Sequence, residues 1–213
     1  MINIKEVYRY MGIKSSEEIS KDLDLKVNKI IKEAQEAAEF KTVSKYFNIE
    51  RKEEILNLGF CQTSSKALKK NLCGCEKILL FAATLGMNYE RRLSFFSESS
   101  PFDALVWHAA GTEILEKKAD DFLKQKSQED KVFFKPRFSP GYGDLPLELQ
   151  KDIFSALKPE KYIGAYLTNS MLMVPSKTIT ALAGVCKEKE NNLLRKKKCV
   201  LCENKNCRYR KED

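Results

Sequence analysis

Apolar side chains in this chain recur at two spacings, one helical and one strand-like, and the change from one to the other marks out its elements. Residues 4–11 read as a short helix stopped at Gly12. Ser15 stands three residues before Glu18, a capping-box spacing that opens a helix. Ile19, Leu23, Val27, Ile30, Ala34 and Ala37 then recur every three or four residues, predicting an amphipathic helix to about Phe40. From Val43 to Ile49 the period shortens to two, and Ile55 to Leu58 follows as a second short strand. Ser64 to Leu72 reads as a short helix, and Ile78 to Leu85 as a buried strand ending at Gly86. Phe102, Leu105, Ala109, Thr112, Leu115 and Ala119 predict a long helix from about Pro101 to Gln125, with proline at its usual first position. A strand at Val132–Phe134, a helix from Leu145 to Leu157 and strands at Tyr162–Leu167 and Thr178–Val185 complete the pattern.

About five strands and five helices in mixed order, without regular strand–helix alternation or a Gly-rich phosphate loop, favour an α+β domain. Its sheet is expected to be mixed, largely antiparallel and twisted, with flanking helices. The chain of 213 residues can bury a core of ordinary size without a staple. Thirty-eight basic and 30 acidic side chains leave a net charge of +8. That excess is local: residues 187–213 carry ten Lys or Arg against five acids, so the other 186 residues are close to neutral. The expected organisation is therefore a domain over 1–186 and a basic, Cys-rich tail over 187–213. The N-terminus lacks the pattern of a secretory signal, and the longest nearly apolar run, Ile78 to Met87, is too short to span a bilayer. No membrane association is expected, and seven cysteines in such a chain point to a cytoplasmic protein with reduced thiols.

The segment Arg137-Phe138-Ser139-Pro140-Gly141-Tyr142 places a planar fork of donors, a tight turn and a phenol within six residues. The guanidinium suits a carboxylate, Gly141 lets a ligand press against the main chain, and the Tyr142 ring face attracts a cation. A free carboxylate joined to a permanent cation describes a sulfonium amino acid such as S-adenosylmethionine. A surface turn with an ion-paired Arg is the plainer alternative on spacing alone.

The R-x-x-x-G-Y signature of Arg137, Gly141 and Tyr142 resembles the reactivation domain of vitamin B12-dependent methionine synthase, in its short stand-alone form. Gly143 to Leu147, the run Ile163 to Pro175 and Ser176 to Ala181 follow at the family's spacing. Tyr8 to Gly12, Ala83 to Gly86 and the segment Gly111 to Glu116 also look like that family. The resemblance implies that Arg137 holds the ligand carboxylate, that Ser139 and Gly141 contribute main-chain contacts, and that Tyr142 lies near the sulfonium. It places a sulfonium-stabilising acid on Glu116; the i,i+4 position before it is Thr112, which is not acidic. It further implies that the domain supports reductive methylation of a partner's cob(II)alamin, in methionine synthase or another corrinoid protein, with a low-potential electron donor. The chain is not expected to turn over alone, and the cobalamin belongs to the partner.

Cys199, Cys202 and Cys207 form a C-x2-C-x4-C run in the tail, and Cys186 is a candidate fourth ligand, with Cys61, Cys73 and Cys75 as others. Zinc would knit such a site; an iron–sulfur cluster would carry electrons. The competing functional reading is accordingly a metal or iron–sulfur redox accessory protein for a corrinoid methyltransferase, acting through these cysteines. Nucleic acid is not expected as a partner, because the basic tail has few interleaved aromatics and the body is near neutral.

Overall fold

The computed structural model describes residues 2–13 and 18–186. Helix α1 (Ile4–Met11) is opened by Asn3 and closed by Gly12 in the left-handed conformation, as its pattern indicates. Helix α2 (Lys21–Ala37) begins later than the spacing suggests: Ser20, whose hydroxyl accepts from the Leu23 N–H, is its cap, while Ser15 falls outside the described residues. It also ends at Ala37 rather than Phe40, because Ala38 is already extended. Strands β1 (Lys41–Asn48), β2 (Glu50–Lys52), β3 (Ile55–Asn57) and β4 (Gln62–Thr63) follow, then α3 (Lys66–Asn71) and β5 (Lys77–Thr84).

Helix α4 (Met87–Ser99) has no counterpart in the expected elements; its apolar face consists of Tyr89, Leu93 and Phe96 among many serines. Helix α5 (Pro101–Glu129) starts at the predicted proline, capped by Ser100, and runs a turn past Gln125. A short strand β6 (Phe133–Phe134) leads into a loop, a 3-10 turn (Leu147–Leu149) and α6 (Gln150–Leu157). The strand expected at Tyr162–Leu167 divides into helix α7 (Pro159–Ile163) and strand β7 (Tyr166–Leu167). Pro159 sets the first helical φ, and Gly164 at φ +68° ends the helix. Strands β8 (Met173–Val174) and β9 (Thr178–Cys186) complete the described chain.

The main sheet has the order β1-β5-β9-β6, and every pairing in it is antiparallel. Alternation along β5 supplies both of its faces. Leu79, Phe81 and Ala83, with Ala181 and Ala183 of β9, meet α1, α2, α4 and α5. Ile78, Leu80 and Ala82, with Leu182, meet α3, α6, α7 and the β3 region. The result is a three-layer α+β body with the sheet between two sets of helices. Among the described residues, no helix is long and apolar enough to cross a membrane. The tail expected over 187–213 lies outside the described residues.

Candidate functional site

The 135–144 segment leaves β6 along the edge of β9. Lys135 donates its N–H to the Gly184 carbonyl at 2.8 Å, and Phe138 exchanges two main-chain bonds with Leu182, at 2.9 and 2.8 Å. Phe138 packs into the cluster beneath the sheet. Its neighbour Arg137 reaches the other way, to α5. There Arg137 Nη2 lies 2.7 Å from Glu116 Oε2 and 3.1 Å from Asp120 Oδ1. Both contacts fall on one nitrogen, leaving Nε and Nη1 without a partner among the described residues.

The turn beyond is stapled in several places. Ser139 donates its hydroxyl to the Thr180 carbonyl at 2.8 Å, Tyr142 N–H reaches the Ser139 carbonyl, and Gly141 N–H reaches the Leu145 carbonyl. Asp144 accepts from the Ser65 hydroxyl and from the N–H groups of Lys66 and Ala67, so it caps α3 from outside. These bonds, the Ser65 hydroxyl foremost, pull the Asp144 carboxyl down to about 2. Gly143 is at φ +57°, and a Cβ there would sit 2.8 Å from Ala67 Cβ, so glycine is required for the loop to lie against α3. Gly141, at φ +87°, has an open face; a Cβ would meet only Leu147 Cδ1, at 3.7 Å. Tyr142 is 54% exposed, its ring edge-on to Phe138 at 6.1 Å.

On α5, His108, Thr112, Glu116 and Asp120 follow at four-residue intervals and form one stripe. Lys177, the residue before β9, is buried and donates from Nζ to Thr112 Oγ1 at 2.9 Å, one turn from Glu116. Burial pushes its ammonium down to about 8, although Glu90 opposes this. Tyr10 of α1 stacks under Arg9, whose Cζ is 4.2 Å from the ring centroid. The Tyr10 phenol is raised, by burial foremost and with a contribution from Glu116.

Of the residues expected to form the site, Arg137 and Glu116 are therefore in direct contact, and Ser139, Gly141 and Tyr142 belong to the adjoining turn. The Gly141 N–H is spent inside the turn, so what this residue presents is its open Cα face. Asp120 and Lys177 were not singled out by sequence. Asp120 is the missing i,i+4 acid, lying C-terminal to Glu116 rather than at Thr112. Two open surface depressions, of about 280 and 460 Å³, take no wall from the 137–142 loop. Among the described residues no group of three or more His, Cys, Asp or Glu is placed to hold a metal. Cys186 faces Cys75, and Cys199, Cys202 and Cys207 lie outside the described residues.

An antiparallel sheet sandwiched by helices, with a stapled Arg-Gly-Tyr turn set against the Glu116 and Asp120 face of α5, defines an α+β domain. No protein-family model and no curated protein matches the sequence. The chain is similar to a solved structure of the MetH reactivation domain bound to AdoHcy, with a TM-score of 0.65 and 14% sequence identity, covering 89% of this chain and 75% of that one. The fold is thus the one that the resemblance implies.

Proposed function

We propose that this chain binds S-adenosylmethionine at the Arg137 turn and supports reductive methylation of a corrinoid carried by a partner. The observation that carries the reading is the Arg137 guanidinium, fixed through Nη2 by Glu116 and Asp120 while Nε and Nη1 have no partner among the described residues. Its fold is also that of a domain solved with AdoHcy, the demethylated form of this ligand. The residues fit the ligand chemically. A carboxylate takes the unpaired edge of the Arg137 fork, the open face of Gly141 admits close approach, and Glu116 and Asp120 would supply the negative charge that a sulfonium beside them needs.

The corrinoid is the methyl acceptor and belongs to the partner, cobalamin-dependent methionine synthase or another corrinoid protein, with a low-potential donor supplying the electron. This chain needs no acid or base for that transfer. Arg137 and the turn hold the methyl donor in one orientation, and orientation of this kind lowers barriers by several kcal/mol. Tyr142, 54% exposed, keeps its ring face available to the sulfonium.

Calorimetric titration of the full chain with S-adenosylmethionine and with AdoHcy tests the reading. Both are expected to bind, and Arg137→Ala to weaken binding roughly 10- to 100-fold, the worth of charge-assisted hydrogen bonds to a carboxylate, about 1.5–3 kcal/mol. No heat at millimolar ligand, or equal affinity in Arg137→Ala, overturns it. An added corrinoid partner and reductant then report methylcobalamin recovery.

A further inference from the structure

Away from the Arg137 turn, two cysteines 111 residues apart in sequence meet. Cys75 lies in the turn between α3 and β5, and Cys186 is the last residue of β9; their Sγ atoms are 3.4 Å apart. We propose that Cys75 and Cys186 form a thiol–disulfide redox site, oxidised by low-molecular-weight disulfides such as oxidised glutathione. A disulfide requires Sγ atoms at about 2.05 Å, so the pair closes by only about 1.4 Å, within the reach of side-chain rotation.

The fold holds the two sulfurs in place. Antiparallel pairing of Lys77 with Val185 sets the end of β9 beside the turn that precedes β5. Gly184 leaves room for the Cys75 side chain: a Cβ there would lie 2.7 Å from Cys75 Sγ. The turn itself is clamped by two cations. Arg51 donates to the carbonyls of Leu72 and Cys75, at 2.9 and 2.7 Å, and Lys135 Nζ donates to the Cys73 carbonyl. The same cations attract an anionic oxidant such as glutathione disulfide.

Cys186, half-buried, is the entry thiol, and Cys75, buried, is the resolving one. Cys186 Sγ attacks one sulfur of the small disulfide, and the other leaves as a thiol with the proton from Cys186. Cys75 Sγ then attacks Cys186 Sγ, and the second small thiol leaves with the proton from Cys75. The chain has lost two electrons and two protons, and the small disulfide has become two thiols. The product ties the end of β9, after which the basic Cys-bearing segment begins in the sequence, to the turn before β5.

The test uses the full chain, reduced, exposed to oxidised glutathione, alkylated and digested with trypsin for mass spectrometry. A cross-linked pair of peptides spanning 71–77 and 178–187 is expected in the native sequence and in Cys73→Ser. It is lost in Cys75→Ser and in Cys186→Ser, and dithiothreitol reverses it. Because buried Cys75→Ser can impair folding, the native chain, Cys73→Ser and Cys186→Ser decide the matter without it. Cys186 joined to Cys199, Cys202 or Cys207, or carrying glutathione while Cys75 is alkylated, overturns the proposal, as does protection of both thiols by bound zinc.

Discussion

Replacing Lys177 by Met removes a buried ammonium whose titration should be visible in stability. The side chain is 5% exposed and donates to Thr112 Oγ1, and burial takes its pKa from 10.5 to about 8. That difference corresponds to about 3 kcal/mol of unfavourable desolvation in the folded state. Below about pH 8 the lysine is charged in both states and folding carries the whole cost. Between about 8 and 10.5 the folded chain releases its proton first, so the unfolded chain holds more protons and stability rises with pH. Above that window the cost is gone. Buried tyrosines such as Tyr89, whose phenols are raised, act oppositely at high pH, so the informative quantity is the difference between variant and native chain. Urea unfolding followed by the fluorescence of buried Trp107 measures it. Thr112 keeps its own bond to the His108 carbonyl in the variant, so no donor is orphaned. Lys177→Met is expected to be the more stable chain at about pH 7, with its advantage narrowing by about 2 kcal/mol by about pH 9.5. An advantage that stays constant across that range refutes the reasoning.

Three other outcomes follow from the same structure. Gly111→Ala in α5 should destabilise: the added Cβ lies 2.7 Å from Tyr89 Cε1, and Tyr89 is fully buried and anchored by its bond to the Trp107 carbonyl. Overpacking of about 1–3 kcal/mol outweighs the helix-propensity gain of about 1, and thermal denaturation reads the balance. Asp144→Asn should flatten the acid side of the stability profile. The carboxylate, held at about 2, contributes stability above its ordinary 3.8 and loses it as pH falls from about 4 to 2, which circular dichroism at a pH series follows. Arg137→Lys keeps the charge but not the fork, so it should restore only part of the affinity that Arg137→Ala loses, by calorimetry.

Where local chemistry dominates, the sequence was legible. Gly12 and Pro101 mark helix boundaries that the structure keeps, and the continuous apolar run of β5 is legible because both faces of that strand are buried. Helix α4 was hidden because its apolar face is thin: only Tyr89 is fully buried, and Phe95 is exposed. Tyr162–Leu167 looked like a strand because its spacing is short and apolar, yet Pro159 and Gly164 are helix start and stop signals that were present to be read. In the site, the turn was visible from Arg137, Gly141 and Tyr142. Asp120 is less legible because it pairs with Glu116 from the C-terminal side, while the preceding i,i+4 position holds Thr112. Lys177 carried no local mark, since its burial comes from β9 packing against α5, a tertiary event.

The staples of the 137–144 turn reach two separate parts of the fold: β9, through Phe138 to Leu182 and Ser139 to Thr180, and the start of α3, through Asp144. Each backbone residue fixed on folding has already given up conformational entropy worth about 1–2 kcal/mol. On the proposed function, a small molecule arriving at this turn would meet a seat that needs no further ordering, so little of its contact energy would be diverted to immobilising the chain. On that reading, affinity would be written partly in Thr180, Ser65 and Ala67, which hold the turn in place.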